Sequence, residues 1–240
     1  MNKLDVEGAD IITKLILDKK WNYLHEKLAK DSHLCNHFYQ SKCSNDCSRS
    51  HNILHFALQH STPFYIIRYL VSLNPTLVNE VNCMGHFPFQ TALTHGTFPA
   101  ILKCLLEGNE KSSEVLDMEG KTSLHLVFDA YKKNSKINCP VAQKIIEYYP
   151  QVIHYVYSLN PLNILKDDRN GVDVLEYAKG KEIEYSTMRM LQEMSMDAKM
   201  KDLHPRVEFV GKEGAQKIKR NSFTQKMKRN TLRKFASSRF

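Results

Sequence analysis

Apolar positions recur along this chain at a long, fixed interval. Three stretches align without a gap: SHNILHFALQHS from Ser50, GHFPFQTALTHG from Gly85 and GKTSLHLVFDAY from Gly120. Leu54, Phe89 and Leu124 stand 35 residues apart, and Ala57, Ala92 and Val127 keep that interval. Inside each stretch the apolar residues fall three or four apart, which predicts one face of a short helix. A second apolar pair follows each anchor, Ile66-Ile67, Ile101-Leu102 and Ile145-Ile146, and predicts a second helix. A fourth copy, GVDVLEYAKGKE from Gly171, puts Leu175 and Ala178 in register after an interval of 51, so sixteen residues are inserted. Placed by the third apolar pair, nine of them fall between the two helices of unit three, around Tyr131 to Cys139. These are expected to lengthen the first helix or to form an exposed loop. The other seven are expected after its second helix, around PQVIHYVYSLNPLN.

Two short amphipathic helices cannot bury their apolar faces alone, so such units must stack on their neighbours. Gly85, Gly120 and Gly171 precede the first helices, where tight turns are expected. Pro63 and Pro99 lie near the second-helix starts, where a missing N–H costs little. Upstream, residues 11–31 have helical apolar spacing through Leu15, Trp21, Leu24 and Leu28, and predict a helical hairpin capping the first unit.

The recurring pattern resembles the ankyrin repeat, whose core reads G-x-T-P-L-H-x-A before a second helix with an apolar pair. GKTSLH (120–125), NILHFA (52–57) and KCLLEG (103–108) are the nearest matches, and the proline of the pattern stands only at Pro88. The resemblance covers about residues 50–197. It implies an all-α fold, an ankyrin-repeat solenoid of helix-turn-helix units. Residues 1–49 would form an N-terminal helical cap with a polar Cys-rich loop, 50–197 the array, and 198–240 a flexible basic tail. It further implies that His55 and His125 bond backbone between units. The expected activity is non-enzymatic: a scaffold or adaptor binding a protein partner through finger loops and first-helix ends. On this chain those positions are Arg49, His51, Gln59, His60, Met84, His86, Thr94, His95, Glu119, Lys121 and Asp129. His51 with His86, and His60 with His95, are each 35 apart, so stacking would set each pair side by side.

Charge changes the picture only at one end. Residues 1–198 hold 21 Lys/Arg against 23 Asp/Glu, whereas 199–240 hold 13 against 3, so the basic pI of about 9.1 describes a tail. Within it KIKRNSFTQ and KMKRNTLRK write one motif twice, placing Ser222 and Thr231 after Lys-Arg-Asn as candidate phosphorylation sites. An anionic surface, membrane or nucleic acid, is the tail's candidate partner. No apolar run approaches the ~20 residues of a membrane helix, and the start has no basic leader before an apolar stretch. A monomer in the cytoplasm or nucleus, with reduced cysteines, is expected.

Candidate chemistry is sparse. Cys35, Cys43, Cys47 and His51 fall as C-x7-C-x3-C-x3-H, which resembles CCCH zinc fingers and gives the alternative reading, an RNA-associated protein using this cluster and the tail. Were 43–51 helical, Cys43 and His51 would lie ~12 Å apart along the axis, too far to share an ion. His51 also belongs to the repeat, so an ordinary polar finger with reduced cysteines and no metal is expected. No phosphate-binding Gly-rich loop, G-x-S-x-G or H-E-x-x-H occurs, and no cofactor or enzymatic activity is expected. The paired carboxylates Asp167-Asp168 and Glu182/Glu184 read as solvated charge at turns.

Overall fold

A computed structural model describes residues 11–36, 38–39, 51–135 and 140–203, with side chains over 11–36, 51–131 and 147–203. It is mostly helical. Helix α1 covers 11–17 and α2 Trp21–Lys30; α3 (Ile53–Gln59) and α4 (Phe64–Leu73) follow, then α5 (Pro88–His95) and α6 (Pro99–Gly108). Next come α7 (Ser123–Ser135), α8 (Pro140–Leu159), α9 (Val174–Lys179) and α10 (Tyr185–Leu203). The described strands are two residues long: β1 (Phe38–Tyr39) pairs antiparallel with β2 (His51–Asn52), Tyr39 opposite His51. No helix among the described residues is long and apolar enough to cross a membrane.

Helices stack in two rows. In one, α3 packs on α5, α5 on α7 and α7 on α9; in the other, α4 packs on α6 and α6 on α8. The anchors sit between units: Leu54, Phe89 and Leu124 are at most 1% exposed, and Ala57, Ala92, Val127 and Ala178 are buried with them. Along the second row the buried triplets are Ile66-Ile67-Leu70 and Ile101-Leu102-Leu105. After α4, α6 and α8 an asparagine (Asn74, Asn109, Asn160) leads into a 3-10 turn that carries two more buried residues, such as Leu77 and Val78. The fourth anchor is the exception: Leu175 is half-buried, because neighbouring Val174 takes the fully buried place.

The cap is a complete unit. Its second helix matches α4 in length, at 10 residues, and a 3-10 turn, Ser32–Asn36, buries Leu34 and Cys35 as Leu77 and Val78 are buried later. Ile12, Ile16, Leu24 and Leu28 are fully buried, so Ile12 and Ile16, more than Leu15 and Trp21, anchor the pair.

The insertion is placed differently from its expected split. In α8 the buried triplet is Val152-Ile153-Val156, and the helix ends at Leu159 of Ser-Leu-Asn-Pro as α4 ends at Leu73 of the same tetrapeptide. Val152 and Ile153 lie 51 residues after Ile101 and Leu102, so all sixteen extra residues precede them. The sequence from Pro150 to Leu159 is therefore helix and core, not a post-helix segment. The side chains of Ile145 and Ile146 lie outside the described residues. The extra length goes into both helices: α7 has 13 residues against 8 in α5, and α8 has 20 against 10 in α6. Tyr131, near the start of the inserted stretch, is buried and meets Tyr149 edge-to-face at 5.0 Å. At the far end, α10 passes the expected boundary at 197, with Ala198 fully buried, and runs to Leu203. Ser222, Thr231 and the rest of the basic tail lie outside the described residues.

Candidate partner-binding groove

Three hairpin turns, numbered two to four after the units they open, precede α5, α7 and α9, each built by one side chain. Asn82 Oδ1 accepts from the backbone N–H of Met84 (2.9 Å) and His86 (3.0 Å). Asp117 Oδ1 does the same for Glu119 and Lys121 (both 2.8 Å), and Asp168 Oδ1 for Asn170 (2.8 Å) and Val172 (3.1 Å). The third residue after each acceptor is Gly85, Gly120 or Gly171, at φ of 73°, 76° and 76°, where a Cβ is unfavourable. Thus Asp168 is structural. The sequence carries this signal, since Asn82, Asp117 and Asp168 keep the intervals of 35 and 51, as the glycines do.

Helices α3, α5 and α7 are each tied to the following turn by the residue after the anchor. His55, fully buried, meets the Glu80 carbonyl through Nε2 and Thr91 Oγ1 through Nδ1, both at 2.9 Å. A carbonyl only accepts, so Nε2 carries the proton and Nδ1 accepts from the threonine. Burial, reinforced by His51 and His86 nearby and opposed by the Glu80 carbonyl, pushes the His55 pKa down to about 4. In the next unit Gln90 Nε2 donates to the Val115 carbonyl at 2.8 Å. His125 Nε2 donates to the Val172 carbonyl at 3.2 Å, and burial also lowers its pKa. Hydrogen bonding of His55 and His125 to backbone of the next unit is therefore present.

Between turns two and three and the ends of the first helices lies a groove of about 530 Å³. Eight of the candidate residues line it: Gln59, Met84, His86, Thr94, His95, Glu119, Lys121 and Asp129. Met118, one position off the register of Met84, lines it as well, and both Met84 (56%) and Met118 (57%) are more than half exposed. Val81 and Leu116 add exposed apolar surface on the same two turns. Turn four offers Asp167, Arg169 and Asn170 instead, so among the described turns the apolar surface is local to two.

The remaining candidates are placed otherwise. His51 is 3% exposed, with Nε2 3.2 Å from Cys83 Sγ of the next turn, and His86 is 4% exposed, with Nε2 3.4 Å from Asp117 Oδ2. Both rings contact the following turn, and they offer a partner little surface. His60 meets Phe56 outside the groove, with ring centroids 4.5 Å apart and tilted, while His95 Nδ1 donates to the Thr91 carbonyl at 3.0 Å. Arg49 lies outside the described residues.

One end of the groove is closed by charge. Asp129 Oδ1 accepts from Tyr177 Oη (2.6 Å) and Lys181 Nζ (2.7 Å), and Lys121 Nζ sits 3.5 Å from Oδ2 and 2.6 Å from Glu119 Oε2. Both ammonium groups lie over the Tyr177 ring, at 5.1 and 4.5 Å. Burial would raise the Asp129 carboxyl, but Lys181, Tyr177 and Lys121 outweigh it and hold the group below its ordinary range. Asp129 is thus taken up in joining α7 to α9.

Of the zinc-like set, Cys43 and Cys47 lie outside the described residues. Cys35 is 1% exposed, its thiol pushed up by burial, and it donates to Asn36 Oδ1 at 3.4 Å. Among the described residues no three Cys, His, Asp or Glu side chains converge as a metal-ligand set. No protein-family model matches the chain, and no curated protein matches it in sequence.

Proposed function

We propose that this chain is a divergent ankyrin-repeat protein that binds a protein partner without catalysing a reaction. Support for the family comes from the two-row stacking of helix pairs, the Asx-Gly turns before α5, α7 and α9, and the His or Gln side chain tying α3, α5 and α7 to the next turn. The observation that carries the binding role is the groove between turns two and three. It sets two exposed methionines, flexible and polarisable enough to fit an apolar side chain, beside hydrogen-bonding groups at the helix ends. An apolar anchor on an extended partner segment fits between Met84 and Met118.

Affinity capture tests it, using the whole chain, a chain ending at Leu203, and the whole chain with Met84→Glu and Met118→Glu. The cut belongs after Leu203, because one at 198 would remove the end of α10 and expose buried Ala198. A partner kept by the truncated chain and lost from the double variant, whose thermal transition is unchanged, is the expected result. Identical partners on all three chains would overturn the groove as the binding surface.

A further inference from the structure

The N-terminal helix pair carries a second recess, of about 540 Å³, lined by Leu15, Lys20, Tyr23, Glu26, Lys27 and Lys30. Lys20, Tyr23, Lys27 and Lys30 follow one another at steps of three or four residues, so they form a single stripe ~15 Å long beside the buried Leu24 and Leu28. Tyr23 is 66% exposed, a large ring held in solvent between the Lys20 and Lys27 positions. Acids are near: Asp18 Oδ2 lies 3.7 Å from Lys20 Nζ, and Glu26 shares the recess. Among the described residues, however, neither Lys27 nor Lys30 has a carboxylate within ion-pair distance. Over residues 11–31 five lysines stand against three acids, a local excess opposite in sign to the body's.

An exposed ring set among lysines has a specific use. Single-stranded nucleic acid presents bases that stack on an aromatic face while its phosphates meet nearby ammonium groups. An acidic or phosphorylated peptide would engage the lysines and leave the ring idle. Duplex keeps its bases inside, where Tyr23 cannot reach them. We infer that this recess binds a short run of single-stranded nucleic acid, with one base stacked on Tyr23 and phosphates at Lys27 and Lys30. The inference is independent of the groove and uses none of Cys35, Cys43, Cys47 or His51.

The test takes the full chain and a labelled oligouridylate, with binding followed by fluorescence anisotropy across a salt series. Because the basic C-terminal segment also attracts phosphate, position is read separately, by crosslinking a thiouridine-substituted strand and sequencing the modified peptide. Expected are crosslinks on the peptide containing Tyr23, and about tenfold weaker binding for Tyr23→Ala with an unchanged salt slope. Tyr23→Phe should bind normally. Lys27→Ala with Lys30→Ala should lower the salt slope by about 1.4, about 0.7 for each lost phosphate contact on a single strand. All these side chains are exposed, so the thermal transition should not move. The inference is overturned by crosslinks confined to residues 204–240, by full affinity in Tyr23→Ala, or by equal binding of duplex. Poly-glutamate that competes equally with the wild type and Tyr23→Ala would likewise overturn it, and would assign the stripe to acidic protein surfaces.

Discussion

Acid should loosen this protein through His55, and the size of the effect follows from its surroundings. The ring is fully buried, and both its nitrogens are committed, one to the Glu80 carbonyl and one to Thr91. A proton on Nδ1 would turn the acceptor of the Thr91 hydroxyl into a second donor and put a charge where no carboxylate faces it. In the fold the pKa is about 4, against an ordinary value of 6.5. The unfolded chain therefore binds more protons than the folded one between these values, and stability must fall as pH falls through that window. It is fully present above 6.5, drops by about 2 kcal/mol at pH 5, and is down by about 3 kcal/mol at pH 4. His125, also depressed by burial, steepens the fall. The chain supplies its own control. Gln90 occupies the same register and makes the same kind of bond to Val115 without a titrating group. His55→Gln should therefore keep its stability near pH 7 and lose less of it on acidification. Urea unfolding at pH 7, 6 and 5 reads this directly: the wild-type midpoint should fall by about 1 M by pH 5. Parallel pH profiles for wild type and His55→Gln, or an imidazole titrating near 6.5 in the native state, would refute the reasoning.

Other positions give sharp expectations. Leu124→Ala, at the centre of the first-helix row, should cost about 2–5 kcal/mol in chemical unfolding, and an unchanged midpoint would break the 35-residue register. Tyr131→Ala should cost about 3 kcal/mol through its lost packing on Tyr149, whereas a solvent-facing insertion would lose nothing measurable. Gly171→Ala meets open space and should cost about 1 kcal/mol for its positive φ. Gly120→Ala should cost more, because its new Cβ would lie 3.0 Å from the Arg169 backbone nitrogen, and equal melting temperatures for the two would count against this turn packing.

What sequence could tell was set by whether a feature repeats. Leu54, Phe89 and Leu124 were legible because packing between like units imposes the same demand at the same interval, and the same holds for His55 and Gln90. The insertion was misplaced because Ile145-Ile146 imitates the second-helix pair, and only the buried Val152-Ile153 and the shared Ser-Leu-Asn-Pro exit reveal the register. The cap as a full unit was invisible, since Ile12, Ile16, Leu24 and Leu28 keep its helical faces while sharing none of the turn motif. In the groove, Met84, Thr94, His95, Glu119 and Lys121 followed from register alone. That His51 and His86 would be buried did not, because their contacts run to Cys83 and Asp117, more than thirty residues onward.

The place of the insertion explains how the groove survives it. Sixteen extra residues would shift every later side chain by more than four helical turns if they entered between a turn and its first helix. They enter instead after Val127 and Phe128 have been buried, and before Val152 and Ile153 resume the second row. Both helices of unit three are lengthened away from the hairpin turn that begins the unit. Their near ends keep the register of α5 and α6. Lys121 and Asp129, which close the groove, therefore sit where the preceding repeat places them. The described ends of the added length also meet in the core, Tyr131 on Tyr149. An array whose units touch only their neighbours can take such an element in one unit without disturbing the turns that line the groove.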